Sequence, residues 1–159
     1  MSMPGIIYIT LEQALEVHLR TVEVSGGGAH GLLDENPLIG ALEQIQNDDW
    51  YPDFNSKLTH LVFATNRNHC FRDGNKRIAI ALGAQFLLFN GYVFLVSRFL
   101  QYMENISYHL AAGVIDKDLL VEIINALLSG DEEDEELKLK IFHAISQDLN
   151  SDGFGEPIS

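Results

Sequence analysis

A single cysteine, Cys70, stands in a sequence of 159 residues. No disulfide can form within the chain, and one thiol fits a reducing compartment. Long hydrophobic runs are missing too. The longest, Ile78 to Phe89, carries Gly83 and Gln85 and is too short to span a bilayer. The opening residues, Met1-Ser2-Met3-Pro4-Gly5, lack a basic stretch followed by an apolar one, so no signal peptide is read there. These absences point to a soluble, cytoplasmic protein. Positive charge is scarce: 10 Lys and Arg face 23 Asp and Glu, for a net charge of -13. Such a chain repels nucleic acid and anionic membranes at long range, so neither is expected as a partner. No internal repeat is evident. His18, His30, His60, His109 and His143 show no metal-ligand spacing.

What is present is enough apolar material for a core. Hydrophobic residues make up 47% of the chain, which excludes global disorder. The length favours one domain with a small appendage. Thr10, with Gln13 as capping-box partner, predicts a helix from Leu11 to about Val24. Gly26-Gly27-Gly28 breaks it, and Asn36-Pro37 restarts a helix whose stripe is Leu38, Ala41, Leu42 and Ile45. After a loop at Asp48 to Pro52, a third helix runs from about Asn55 to Asn68. A fourth, from about Asn75 to Phe89, is apolar almost all round and should be buried on every side. Asn90-Gly91 ends it. Tyr92 to Val96 reads as a short extended piece. Helices at Arg98 to Ala112, Asp116 to Leu128 and Asp131 to Leu149 complete an all-α bundle around one central helix.

The basic residues are unevenly placed. Arg67, Arg72, Lys76 and Arg77 lie in one short stretch. A positive island in an acidic chain points to a local anion; the alternative is four solvated charges at a helix junction. Lys76 and Arg77 fall in the first turn of the buried helix, where the dipole disfavours cations unless an anion sits there. A helix N-terminus also offers free N–H groups to a phosphate, and Gly74 lets backbone approach closely. Asp73 either caps that helix or holds magnesium together with phosphate oxygens. His69 is placed for general-base work, against a structural reading. Phe71 plugs the loop into the core. Cys70 beside His69 has no orienting third group, so a cysteine nucleophile is discounted.

The run His69-Cys70-Phe71-Arg72-Asp73-Gly74-Asn75-Lys76-Arg77 resembles the signature of the Fic/Doc family. Lys rather than Gly after Asn75 is similar to its death-on-curing (Doc) toxin branch. So are Ile9-Thr10-Leu11-Glu12, the glycine-rich break, the restart near Pro37, Phe86-Leu87-Leu88-Phe89-Asn90-Gly91, and Ala111-Ala112-Gly113-Val114-Ile115. The resemblance covers residues 6 to 128. It implies a Fic/Doc-like helical bundle with a short flap near Asp48 to Asp53, which would align a target segment as an added strand. It implies His69 as the base on a target hydroxyl, Asp73 on Mg2+, Gly74 and Asn75 shaping an anion hole, and Lys76 and Arg77 on the phosphates of ATP.

The Doc branch transfers the γ-phosphate to translation elongation factor Tu, and a small antitoxin neutralises it. The resemblance therefore implies a protein kinase acting as a toxin. The alternatives are AMP transfer to a protein hydroxyl and an inactive Fic-fold interaction module. Domains are expected at 1–128, catalytic, and 129–159, an acidic helix and tail. Two features depart from a simple toxin: the strong acidity and the extra chain beyond residue 128. Asp131 to Glu136 reads as a solvated helix start, or as a run that docks on the basic island and inhibits in cis. Ser129 and Glu133 have the spacing of the family's inhibitory helix, with Asp134 where Gly or Asn is expected. Asp148-x-Asn150-x-Asp152-Gly153-x-Gly155-Glu156 resembles part of an EF-hand loop; a flexible acidic terminus is the competing reading.

Overall fold

Thr10 and Gln13 close a reciprocal capping box. The Thr10 N–H donates to Gln13 Oε1 at 2.9 Å, and the Gln13 N–H donates to Thr10 Oγ1 at 3.2 Å. Helix α1, Leu11–Val24, starts there. The computed structural model describes residues 5–24, 36–67 and 75–151. They form α2 (Asn36–Gln44), α3 (Phe54–Arg67), α4 (Asn75–Phe89), a 3-10 turn (Val93–Leu95), α5 (Val96–Ala111), α6 (Lys117–Ser129) and α7 (Glu135–Ser151). No strand occurs among the described residues, and the all-α expectation holds. Among the described residues no helix is long and apolar enough to cross a membrane.

The starts of three later helices follow from aspartates. Asp53 Oδ1 accepts the Ser56 N–H at 2.8 Å, so α3 begins at Phe54. Asp116 accepts the Leu119 N–H at 2.8 Å and opens α6. Asp134 accepts the Leu137 N–H at 3.0 Å, which starts α7 at Glu135 and leaves Asp131 to Asp134 as a turn rather than helix.

The core sits on α4. Its neighbours are α3, α5 and α1. Ile78, Leu82 and Phe86 are fully buried, and Phe86 stacks on Phe54 at 4.8 Å between ring centroids. Gly83 faces Phe99 of α5 and Val62 of α3 so closely that an added Cβ would lie 2.6 Å from Phe99 Cζ and 3.1 Å from Val62 Cγ2. A methyl group there has no room. At the far end, Gly91 adopts φ 87, which lets the Tyr92 N–H bond to Leu87 O at 2.9 Å and close the helix. The Asn90 side chain then acts like a strand partner for the segment before α1. It accepts the Ile7 N–H at 2.8 Å and donates to Ile7 O at 2.9 Å.

Several expectations need correction. Helix α4 is not buried on every side: Leu88 is 43% exposed, and Ile80, Ala81 and Gln85 are half-buried, because α1 and α5 flank it without closing over it. Tyr92 to Val96 is not extended. No strand is present to pair with it, and it winds as the 3-10 turn, with Leu95 buried while Val93 and Phe94 face outward. Gly130, at φ 79, ends α6, so Ser129 and Glu133 do not share a helix. Among the described residues the acidic run makes no ion pair with the basic island. Glu132 pairs with Arg98 of α5 and Glu133 with Lys138 of α7. Asp152, Gly153, Gly155 and Glu156, which the EF-hand reading needs, lie outside the described residues.

The Gly83 contact gives a stability test. Alanine in an exposed helix interior gains about 1 kcal/mol over glycine. Here Gly83→Ala is expected to lower stability by about 1–2 kcal/mol, since overpacking against a ring outweighs that gain. Urea denaturation measures it. An unchanged or raised midpoint would show that Phe99 moves aside freely.

Candidate active site

Helix α3 ends at Arg67 and α4 begins at Asn75. Between them, His69, Cys70, Phe71, Arg72, Asp73 and Gly74 lie outside the described residues. The structure therefore fixes the two ends of the motif. Asn75, Lys76 and Arg77 form the first turn of α4, where the sequence spacing put them, and the side chains of Lys76 and Arg77 are exposed. The end of α3 is tied down by Asn66, whose Nδ2 donates to Ser107 O of α5 at 3.1 Å. Two buried oxygens at this end, Thr65 Oγ1 and Asn66 Oδ1, have no hydrogen-bond partner among the described residues.

The distribution of ion pairs singles out the motif. Arg20, Lys57, Arg98, Lys138 and Lys140 each pair with a carboxylate. Arg67, Lys76, Arg77 and Lys117 do not, among the described residues. Three of these four bracket the segment 68–74. In a chain with a large excess of carboxylates, any exposed cation finds a partner easily. Cations left without one, at a helix start whose dipole repels them, mark a place suited to an external anion. Among the described residues no three Asp, Glu, His or Cys side chains converge to hold a metal. A divalent ion here would depend on Asp73 and on oxygens of the anion itself.

Next to this turn an apolar groove of about 770 Å³ runs between α1, α4 and α5. Val17, Ile80, Ala81, Ala84, Leu88 and Leu100 line it, with Arg77 at its edge. It is the space left where α4 is not covered. No periodicity in the sequence announces it, because an apolar residue facing a groove looks like one facing a core.

The segment expected to be the flap, Asp48 to Asp53, is a series of turns and presents no extended edge. It is pinned from beneath. Lys57 is 1% exposed, and its Nζ donates to Asp48 Oδ1 at 2.8 Å and to Ile45 O at 2.6 Å. Tyr51 stacks on His60 of α3 at 4.5 Å between centroids. His60 Nε2 donates to Gln44 Oε1 at 2.6 Å, which leaves the Nδ1 lone pair to accept from Lys117 Nζ at 2.9 Å and from the Tyr51 hydroxyl at 3.1 Å. Lys117 Nζ also lies over the rings of Tyr51 and Phe63, at 5.3 and 5.4 Å. Trp50, at the outer side of the turn, is 69% exposed. No motif in the sequence points to this cluster. Tyr51, His60 and Phe63 are legible as aromatics near one helix, but nothing local links them to Lys117.

Burial, and then the charge of Lys117, push His60 down to about 4 from an ordinary 6.5. The unfolded chain thus takes up a proton at higher pH than the folded one. The stability from neutral His60 is fully present above about 6.5 and is lost as pH falls toward 4. Urea midpoints of the wild type should drop through that window, and His60→Gln should flatten the drop. Parallel curves for the two proteins would contradict it.

The comparisons with known proteins agree with this geometry. The model of the Fic/DOC family matches residues 8–87, from the segment before α1 to the end of α4, and so spans the whole motif. A comparison with curated proteins found no match. Members of the family are typically protein-modifying transferases that generally use ATP with a divalent metal. With the match covering half of the sequence and including the helix pair that carries the motif, the chain belongs to the Fic/DOC family.

Proposed function

We propose that this chain is a Doc-like protein kinase that transfers the γ-phosphate of ATP to a hydroxyl of a target protein. The observation that carries the reading is the first turn of α4. Lys76 follows Asn75 where AMP-transferring members commonly have glycine, and both Lys76 and Arg77 are exposed and have no carboxylate partner among the described residues. Two cations at that position suit a polyphosphate. His69 would take the target hydroxyl proton. Asp73 would hold Mg2+, whose chemistry when bound is to neutralise charge on the phosphates. Gly74 and Asn75 would shape the anion hole. The domain division, residues 1–128 catalytic and 129–159 an appendage, belongs to the same proposal.

Elongation factor Tu is the proposed target by the same resemblance, and the role is that of a toxin. A small antitoxin is the proposed partner. The open groove along α4 supports this, since an apolar segment lying in it would sit against Arg77.

Two measurements test the reading. The protein is incubated with candidate targets and ATP labelled separately at the α and γ positions. Label from the γ position should appear on the target, and transfer of α label alone would assign AMP transfer instead. No transfer of either label, with intact nucleotide binding, would favour an interaction module.

Thermal melts probe binding separately. ATP should stabilise the fold, by about 2.7 kcal/mol at a hundredfold excess over Kd. Arg77→Ala should remove most of that gain. A wild-type melt unmoved at saturating ATP would remove the nucleotide from the account.

A further inference from the structure

Two buried acceptors border the same space between α5 and α7. Glu132 is 9% exposed; Arg98 takes one of its carboxylate oxygens, and Oε2 has no hydrogen-bond partner among the described residues. His109 Nδ1, also buried, has none among them either. An acceptor held out of water and left unmatched costs stability. Both residues line one cavity of about 490 Å³. It exists because α7 packs mainly on α6 and leaves a gap to α5. Helices α5 and α7 both lie beyond the residues that match the Fic/DOC family.

We propose that this cavity is a binding site for a free aromatic α-amino acid, L-tyrosine before others, which joins α5 to α7.

The charges of the cavity select a zwitterion. Glu132 pairs with Arg98 and Glu133 with Lys138, and all four line the space. The bond from Arg98, working against burial, holds Glu132 below the usual carboxylate range, so it stays ionised. A ligand of one sign alone would upset this balance. A molecule that carries both an ammonium and a carboxylate does not. Its ammonium matches Glu132 Oε2. Its carboxylate matches the Arg98 guanidinium, which keeps N–H groups free after bonding Glu132 and whose side chain is 43% exposed.

The other end selects the side chain. Tyr102, whose hydroxyl donates to Glu132 O, and His109 stand two turns apart on α5, about 10 Å of rise. Ile106 lies between them, and Ile141, Phe142 and Ile145 line the same cavity from α7. An aromatic ring with a hydroxyl at its tip suits that length, whereas a short aliphatic side chain ends before His109. A phenol both donates and accepts, so it satisfies Nδ1 in either tautomer. Turning the carboxylate and the imidazole about their last bonds, both of which have broad minima, brings Oε2 and Nδ1 to the cavity.

Titration calorimetry on the full chain, with L-tyrosine as the probe, tests the site. One molecule should bind, with a Kd on the order of 1 mM or tighter. Removing either charge, in N-acetyl-L-tyrosine or L-tyrosine amide, should weaken binding by roughly tenfold or more. L-Phenylalanine should bind about fivefold more weakly, since it leaves His109 Nδ1 unmatched. Glu132→Gln should lower the affinity for L-tyrosine by roughly tenfold. Because that change also weakens the tie between α7 and α5, Ile145→Trp serves beside it: the larger ring fills the cavity, the Arg98 bond stays, and binding should be lost. Neither nucleotide nor target protein enters the assay, so its result is independent of the kinase reading. No binding up to the solubility limit of tyrosine would overturn the proposal. So would equal affinity for the N-acetyl form or for L-phenylalanine, or wild-type affinity in Ile145→Trp.

Discussion

Val62, Gly83 and Phe99 form the contact on which the rest of the arrangement depends. It brings α3, α4 and α5 to their closest approach, with no space for even one more carbon at Gly83. Interiors packed this tightly transmit displacement rather than absorb it. The two helices that frame the motif, α3 and α4, are therefore locked in register two turns from Lys76 at the start of α4. The end of α3 gains a second tie through Asn66 and Ser107, and the end of α4 is fixed by Asn90 and Ile7.

Charge is distributed with the same logic. Pairing away from the motif neutralises five cations locally. Around the motif and along the Phe63 ring, Arg67, Lys76, Arg77 and Lys117 have no carboxylate partner among the described residues. The overall acidity of the chain makes that contrast sharper. A net charge of -13 gives a long-range field that disfavours polyanions, while Lys76 and Arg77 contribute positive charge locally at the start of α4. A small phosphate-bearing ligand experiences the second field more than the first.

Much of the helical frame was legible in the sequence. The Thr10–Gln13 box, the proline-marked start of α2, Asp116 ahead of α6 and the Asn90-Gly91 stop are local signals, and each operates as local chemistry dictates. The motif was legible as a string of residue types whose context, between two helices, the structure reproduces. What could not be read were contacts between distant residues. Asn90 reaches Ile7 across 83 positions and Lys117 reaches His60 across 57. The uncovered side of α4 was misread because hydrophobicity reports a preference for leaving water, not the presence of a neighbour to receive it. The 3-10 turn at Val93–Leu95 was misread for a related reason: three apolar residues suit a strand only where a second strand exists.

The pairing of Glu132 with Arg98 has a bearing on how the molecule divides itself. Among the side chains described for α7, Leu137 is the one buried apolar anchor, and the turn before it is held to α5 by that ion pair and by the Tyr102 hydroxyl on Glu132 O. The last helix is thus fastened by a clasp that salt and acid loosen, while the other helices are held by close packing that neither affects directly. Of the contacts that hold the last helix, this pair answers to ionic strength and acid, whereas the burial of Leu137 and the packing of Ile141 on the core do not, so the hold on α7 is divided between two kinds of force.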